Sequence, residues 1–212
     1  MEIALWGASG TLGSRILMEA LNRGHAVRAA VRDSQRLTHS DSRLDVIIAD
    51  AMNPTEVAAA VAGTDALVSA LGPSRGAPAE DLIRLNESLL AGVKATEVRR
   101  LVVVGGAGSL YVFPGQRLLD TPDFPAAWRP VAEAAATVLA RFRQESELDW
   151  TIVSPPAWIA PGERTGRYRT NGDFLVVDAD GKSHISAEDF AVAVMDEVEH
   201  PRFVRQRFTV GY

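Results

Sequence analysis

Three glycines near the start of the chain have the spacing of a phosphate-binding turn. Gly7, Gly10 and Gly13 follow an apolar predicted strand, Glu2–Trp6, and lead into a segment with helical periodicity. In such a turn the first glycine allows a sharp bend, the second lets the main chain approach the phosphates, and the third lets the helix pack close to the strand. The helix start offers unpaired N–H groups and the positive end of its dipole to an anion. The spacing therefore predicts a site for the pyrophosphate of a nucleotide.

The residues after the second predicted strand decide which dinucleotide would be preferred. That strand, Ala26–Val31, is followed by Arg32 and Asp33, about 20 residues beyond the glycines. An arginine would attract the 2′-phosphate of NADP, whereas an acidic residue would bind the ribose hydroxyls of NAD and repel that phosphate. If the strand ends at Val31, Arg32 is placed to bind the 2′-phosphate and NADP is favoured. If the strand is one residue longer, Asp33 is placed to bind the ribose hydroxyls of NAD. Asp50 fits two roles, as a contact of the adenine amino group or as a helix cap.

The composition of the 212-residue chain excludes several kinds of chemistry and partner. There is no cysteine, hence no disulfide, thiol nucleophile or thiolate metal site, and the four histidines have no ligand spacing. The net charge of −5 gives no general attraction to nucleic acid or to an anionic membrane. No apolar run reaches the roughly 18 residues of a membrane span, and no secretory signal precedes the first strand. We therefore expect a cytoplasmic protein with neither nucleic-acid nor membrane partners.

Strands and helices alternate through the first 155 residues. Alternation at this spacing requires right-handed crossovers and a parallel sheet covered on both faces. The predicted strands are Glu2–Trp6, Ala26–Val31, Asp45–Ala49, Ala66–Ser69, Arg100–Val104 and Trp150–Val153, and the predicted helices span about 11–23, 54–62, 79–97 and 125–147.

The regular alternation of strands and helices ends at Pro155. A hairpin is predicted around Asn171-Gly172, with 174–177 as its second arm. A helix capped by Ser186 and a short final strand, 207–210, follow. The pattern predicts an α/β, doubly wound, mostly parallel sheet. We expect one NAD(P)-binding domain over residues 1–212, with 1–155 as the dinucleotide-binding core and 156–212 as a substrate-side cap.

Several segments give the chain a family resemblance that spans nearly its whole length. It resembles the atypical branch of the short-chain dehydrogenase/reductases, in the group of NADH-flavin reductases, and is similar to biliverdin reductase B-like and NmrA-like proteins. The segments that carry the resemblance are Gly7–Gly13, Val31–Asp33, Val104–Leu110, Trp150–Pro156, Pro161–Gly166 and Ile185–Ala191.

The resemblance implies a Rossmann-type fold that binds NAD(P)H, with contacts from the loops at the carboxyl ends of the strands. The residues implied are Gly7, Ser9, Gly10, Thr11, Leu12 and Gly13 at the pyrophosphate, Arg32 at the 2′-phosphate, Asp50 and Ala51 at the adenine, Ala70, Leu71 and Gly72 at the ribose, Gly105, Gly106 and Ser109 near the nicotinamide, and Pro155, Pro156 and Ala157 beside its carboxamide. Arg75, after the fourth strand, fits either an anion contact or a solvated surface residue.

The chain lacks the Tyr-x-x-x-Lys pair that many members of this superfamily use to protonate an alkoxide. Four residues after Tyr111 and Tyr168 stand Gly115 and Gly172, and Tyr212 ends the sequence. Neither of the two lysines follows a tyrosine at the required spacing. Reduction of a ketone, whose alkoxide product needs a positioned acid, is therefore disfavoured.

A planar electron acceptor suits these residues better. A flavin or quinone spreads the incoming charge over its rings, so that holding it flat and letting water complete the protonation is enough. The two candidate catalytic residues are Ser109, as a hydroxyl beside the acceptor, and Trp128, as a stacking surface. Phe113, Phe124 and Trp158 add aromatic surface, and a helix cap or ordinary loop packing would explain any of these five residues equally.

Two other functions stay open at this point. The missing pair also fits a non-catalytic NADP-binding sensor of the NmrA-like type. A sugar-nucleotide epimerase or dehydratase would need a larger substrate lobe than the short C-terminal segment offers. We expect a small planar substrate as partner, and either a monomer or a homodimer.

Overall fold

The computed structural model describes residues 1–73 and 76–212, so that Arg75, a candidate anion contact, lies outside the described residues. The strands are β1 (Glu2–Trp6), β2 (Ala26–Val31), β3 (Leu44–Ile48), β4 (Ala66–Ser69), β5 (Arg100–Val104), β6 (Tyr111–Phe113), β7 (Gln116–Arg117), β8 (Asp149–Ser154), β9 (Trp158–Ala160), β10 (Arg169–Asn171), β11 (His184–Ser186) and β12 (Gln206–Gly211). The helices are α1 (Thr11–Asn22), α2 (Pro54–Val61), α3 (Asp81–Lys94), α4 (Arg129–Phe142) and α5 (Ala187–Glu199), with short 3₁₀ turns at Ser34–Arg36, Leu118–Asp120 and Ala126–Trp128.

An eight-stranded sheet runs through the molecule in the order β10-β12-β8-β5-β4-β1-β2-β3. All neighbouring pairs are parallel except β10 and β12, which are antiparallel. The predicted doubly wound α/β fold is confirmed. Because the chain moves outward from β1 in opposite directions, through β2 to β3 and through β4 to β5, a crevice opens between the carboxyl ends of β1 and β4, where such folds bind ligands.

Helices cover both faces of the sheet, as the buried side chains of β1 show. Ile3 and Leu5 pack in the core cluster that also contains buried residues of α1 and α5. Ala4 and Trp6 point to the other face, into the cluster that contains residues of α2, α3 and α4. The alternation follows from the two-residue period of a strand. None of the helices in 1–73 and 76–212 combines the length and apolarity needed to cross a membrane.

The predicted hairpin around Asn171-Gly172 is wrong. β10 pairs with β12, with Asn171 opposite Thr209, and residues 174–177 form no strand. Instead Phe174 makes an isolated bridge with Tyr111. The chain bends at Gly172, directly after β10, but it is β12 that pairs with the first predicted arm. A turn pattern in the sequence carries no information about such a distant partner strand. The division of the chain at residue 155 stays a prediction.

The N-terminus of α5 agrees with the sequence prediction. The Ser186 hydroxyl accepts a hydrogen bond from the Asp189 N–H at 3.0 Å. The buried Asp189 carboxylate in turn accepts bonds from the Thr165 hydroxyl at 2.6 Å and the Gly166 N–H at 2.7 Å. One buried carboxylate therefore ties the 165–166 loop to the start of this helix.

Candidate functional site

The glycine turn after β1 is too tightly packed for side chains at two of its positions. Gly7 has a φ of +85°, and a Cβ there would lie 2.6 Å from the carbonyl oxygen of Ala70. A Cβ on Gly13 would lie 2.0 Å from the carbonyl oxygen of Gly7. Both obstacles are main-chain atoms, which cannot rotate away. The turn therefore holds the end of β1, the end of β4 and the start of α1 in close contact.

The start of α1 leaves its first N–H groups open. Gly10 is the N-cap and provides no side-chain hydrogen bond, and the first turn contains no acidic residue. The N–H groups of Thr11, Leu12 and Gly13 have no acceptor four residues earlier in the helix. An uncapped helix start that no carboxylate shields attracts an anion. This cradle of bare main chain fits the pyrophosphate of a dinucleotide.

One cleft, which we call the outer cleft, extends from this turn to the ends of β2 and β3. It has about 780 Å³ of empty space, part of it open to solvent. The predicted binding residues that line it together are Gly7, Ser9, Arg32, Asp50, Ala51, Leu71 and Gly72.

The outer cleft also contains residues that the sequence did not single out. Arg36, Met52 and Leu85 line it, and Arg36 arrives there because the 3₁₀ turn Ser34–Arg36 folds back toward the end of β2. β2 ends at Val31, one residue before Arg32. The sequence shows Arg36 four residues after Arg32, but the turn that places Arg36 in the cleft was not predicted.

Three carboxylates line the outer cleft, those of Asp33, Asp50 and Asp81, and the first two each close a local turn. Asp33 accepts a bond from the Gln35 N–H at 3.0 Å, and Asp50 accepts one from the Met52 N–H at 3.0 Å. The cap of α2 is Asn53, whose side chain accepts from Thr55, so the helix-cap alternative for Asp50 is wrong. Asp50 retains a place on the wall of the cleft.

A second cleft, the inner cleft, lies on the other side of the glycine turn, above the ends of β4 and β5. It has about 760 Å³ of empty space and shares Leu71 and Gly72 with the outer cleft, so that the two clefts adjoin. The predicted residues that line it are Leu12, Ala70, Leu71, Gly72, Gly105, Gly106 and Ser109. Its other walls are mostly apolar, with Val104, Val131, Leu139 and Ile152 among them.

Some predicted residues do not line either cleft. Gly10, Thr11 and Gly13 form the turn itself, and Pro155, Pro156 and Ala157 follow β8 just beyond Ser154, which does line the inner cleft. Trp128 is 56% exposed and lies one helical turn before Val131. It ends the 3₁₀ turn that precedes α4, and Val131 of α4 lines the inner cleft. The roles of these residues stay predictions.

The inner cleft contains two polar features that the sequence did not reveal. The side-chain N–H of the buried Asn86 bonds to the Leu82 carbonyl at 2.8 Å, while its Oδ1 has no partner among the described residues. The hydroxyl oxygen of Ser109 accepts a bond from Nη1 of Arg207 at 3.0 Å. Burial lowers the pKa of Arg207, and the neighbouring Asp173 carboxylate opposes that change. Arginine stays protonated even so.

Comparisons with known proteins agree with this geometry. A family described as NAD(P)H-binding matches residues 7–201. The uncharacterized protein YwnB of Bacillus subtilis (strain 168) is 40% identical over 214 residues, which cover 99% of this chain and 98% of that protein.

Two of the similar solved structures, each matched over 100% of this chain, carry names that refer to a reaction. A "putative epimerase" from Bacteroides thetaiotaomicron is 42% identical, with 96% of that chain covered and a TM-score of 0.93. A "putative NADH-flavin reductase" from Streptococcus pneumoniae TIGR4 is 33% identical, with 99% of that chain covered and a TM-score of 0.88. The matches confirm the resemblance that the sequence motifs indicated. Because the two names refer to different reactions on one fold, the reaction has to be argued from the residues.

Proposed function

The chain belongs to the NAD(P)H-binding family, and we propose that it is an NADPH-dependent reductase. It would transfer hydride to a planar electron acceptor such as a flavin or a quinone. The observation that carries the proposal is the pair of adjoining clefts on either side of the uncapped start of α1. A dinucleotide has two halves joined by a pyrophosphate, and this arrangement offers two clefts joined by an anion-binding turn. When bound, the cofactor supplies hydride from its nicotinamide ring.

The preference for NADP over NAD is supported by the two arginines of the outer cleft. β2 ends at Val31, which makes Arg32 the first residue beyond the strand, and Arg36 lines the same cleft. The Asp33 carboxylate is engaged with the Gln35 N–H. Two guanidinium groups beside a ribose would attract a 2′-phosphate through charge and paired N–H groups.

Replacing Arg32 with alanine is expected to weaken NADPH binding about 20-fold and to leave NADH binding nearly unchanged. A hydrogen bond between charged groups contributes about 2 kcal/mol, and each 1.4 kcal/mol is a factor of about ten in affinity. Fluorescence titration of the variant with each cofactor measures the two dissociation constants.

Arg99→Ala is the matched control, because Arg99 is an exposed arginine at the amino end of β5, whereas the clefts lie at the carboxyl ends of the strands. That variant should bind both cofactors as the wild type does. Equal losses for NADPH and NADH in Arg32→Ala would show that Arg32 does not distinguish the phosphate.

The choice of acceptor follows from the walls of the inner cleft. Apolar side chains such as Val104 and Ile152 favour a flat, weakly polar ring system. Ser109 provides a hydroxyl beside that ring, and Trp128, three residues before the lining residue Val131, provides an exposed aromatic surface. The chain lacks a Tyr-x-x-x-Lys pair. An acceptor that delocalises negative charge has less need of such an acid than a ketone has.

A turnover assay tests the proposal directly. We expect purified protein to oxidise NADPH in the presence of FMN, riboflavin or menadione, with a kcat on the order of 1 s⁻¹ or more. Oxidation is followed by the loss of NADPH absorbance, with mixtures that lack protein as blanks. Tight NADPH binding without turnover on any member of the panel would contradict the reductase and favour a sensor. Interconversion of a nucleotide sugar with no net change in NADPH would favour an epimerase.

A further inference from the structure

A buried arginine stands directly behind the hydroxyl of Ser109. The side chain of Arg207, on β12, is only 1% exposed. Its Nη1 donates to the Ser109 oxygen at 3.0 Å, and its Nε donates to Oδ1 of Asp173 at 2.7 Å, an oxygen that its Nη2 also contacts. A guanidinium is rarely buried unless its charge is paired and its N–H groups have acceptors. Each of the three nitrogens of this side chain therefore has a hydrogen-bond acceptor, and one of these acceptors, Ser109, lines the inner cleft.

The charges around Ser109 do not cancel. Nη2 of Arg143, at the end of α4, donates to both oxygens of the Asp173 carboxylate at 3.0 Å. Two guanidinium groups thus share a single carboxylate, which leaves one positive charge in excess. The phenol of Tyr111 also lies close to Arg207. The field at the Ser109 oxygen is therefore positive.

The backbone holds this cluster in place. The Tyr111 N–H donates to the Asp173 carbonyl at 2.8 Å, and the Leu175 N–H donates to the Tyr111 carbonyl at 3.0 Å. The segment that contains Ser109 is thereby fixed to the segment that contains Asp173. Fixed charges act on a reacting atom without the cost of rearranging at the moment of reaction.

The bond from Arg207 occupies a lone pair of the serine oxygen and leaves its hydroxyl proton available. We propose that Arg207 is a positioning residue that polarises Ser109, so that the serine hydroxyl donates a hydrogen bond to the acceptor atom on which negative charge accumulates. The proposal rests on the proposed function and narrows its substrate class. The acceptors it favours are those whose reduced form carries an anionic oxygen or nitrogen conjugated to the ring.

The chemical step balances as follows. Hydride adds to the acceptor with its electron pair, the acceptor is reduced, and the nicotinamide is oxidised. The conjugated oxygen or nitrogen that receives the charge is stabilised by the Ser109 hydroxyl and then takes one proton from water. The cluster of two arginines and Asp173 has an excess positive charge. It stabilises the negative charge of the acceptor most strongly when that negative charge is localised, that is, when the reduced acceptor is most basic.

A thiol introduced at position 109 measures the field without cofactor or turnover. Because the chain has no cysteine, Ser109→Cys would contain a single thiol. An ordinary cysteine has a pKa of about 8.5, and an adjacent arginine lowers it, so we expect a pKa of about 7 from the thiolate absorbance in a pH titration. Adding Arg207→Met should return it to about 8.5 or higher. Adding Arg99→Met, at the amino end of β5 and away from the clefts, should leave it at about 7.

Two milder changes keep this test decisive if Arg207→Met does not fold. Asp173→Asn removes the compensating carboxylate and should lower the thiol pKa further, whereas Arg143→Met removes a cation and should raise it. The Arg143 side chain is 52% exposed, so its site tolerates substitution better than the buried one, and asparagine at position 173 keeps an oxygen that accepts from Arg207. A thiol with an ordinary pKa that none of these changes moves would overturn the proposal.

A kinetic series separates this inference from the proposed function. With NADPH and a set of para-benzoquinones, the fall in kcat caused by Ser109→Ala should grow as the hydroquinone product becomes more basic, while the dissociation constant of NADPH stays unchanged. Arg207→Lys should lower kcat less than Arg207→Met does. The same fall for every quinone would overturn the inference. A wild-type protein with no turnover would contradict the proposed function instead, and the thiol pKa would still decide the charge arrangement.

Discussion

Gly13→Ala is expected to lower the free energy of unfolding by about 3 kcal/mol and to weaken NADPH binding at least tenfold. The added Cβ would lie 2.0 Å from the Gly7 carbonyl oxygen and 2.6 Å from its carbonyl carbon. Since neither atom belongs to a side chain, α1 must move away from the turn, and its N–H groups move with it. Alanine would otherwise favour the helix by about 1 kcal/mol, so a loss in stability reports the steric conflict alone. Urea unfolding and calorimetric titration with NADPH measure the two effects.

Gly172→Ala is the matched control for this prediction. Gly172 has no heavy atom within 4 Å of an added Cβ, and its N–H bond to the Asn171 side chain is kept in alanine. The control should unfold and bind NADPH as the wild type does. A Gly13→Ala protein that is as stable as the wild type and binds NADPH equally well would contradict the account of the turn.

Glu197→Ala is expected to lower the free energy of unfolding by about 4 kcal/mol, because it leaves a buried arginine without its counter-charge. The Glu197 side chain is 1% exposed, and its Oε1 lies 2.8 Å from Nη2 of Arg100, whose side chain is 10% exposed. The same carboxylate accepts bonds from the N–H groups of Arg202 and Phe203 at 3.0 and 3.1 Å. The pair joins α5 to β5, so its loss weakens the packing of one helix layer on the sheet. Chemical denaturation measures the change.

Two further variants show whether the buried pair or the lost side chain is responsible. Glu97→Ala removes an exposed carboxylate just before β5 and should change stability by less than about 0.5 kcal/mol. Replacing Glu197 and Arg100 together with methionine should recover most of the lost stability, since no uncompensated charge remains. If Glu197→Ala costs no more than Glu97→Ala, the ion pair does not hold the helix to the sheet.

Local signals were enough to predict the first half of the fold. The bounds of β1, β2 and β4 agree with the predictions because each is a short apolar run that ends in a glycine, a charged residue or a turn. The capped start of α5 at Ser186 is also a local pattern. The glycine spacing predicted the sharp turn at Gly7 and the close packing at Gly13, whereas the contact of Gly7 with Ala70 joins distant segments and was not predicted.

The failures concern pairs of residues that are far apart in the sequence. β10 joins β12, and the edge that attracts it does not exist until β12 has added to β8. Arg207 and Ser109 are 98 positions apart, so no spacing rule could relate them. The unpartnered Asn86 oxygen is equally hidden, because an asparagine within a helical pattern usually faces solvent. The parts of the site that come from one segment were predicted, and the parts assembled from several strands were not.

The central claim is that the clefts on either side of the glycine turn hold one nicotinamide dinucleotide. Calorimetric titration of the wild-type chain with NADPH tests it most directly. The account predicts saturation at about one NADPH per chain with a dissociation constant on the order of 1–100 μM, in the range where enzymes commonly meet their ligands. An absence of binding heat at several temperatures, with NADPH at about 1 mM, would contradict it.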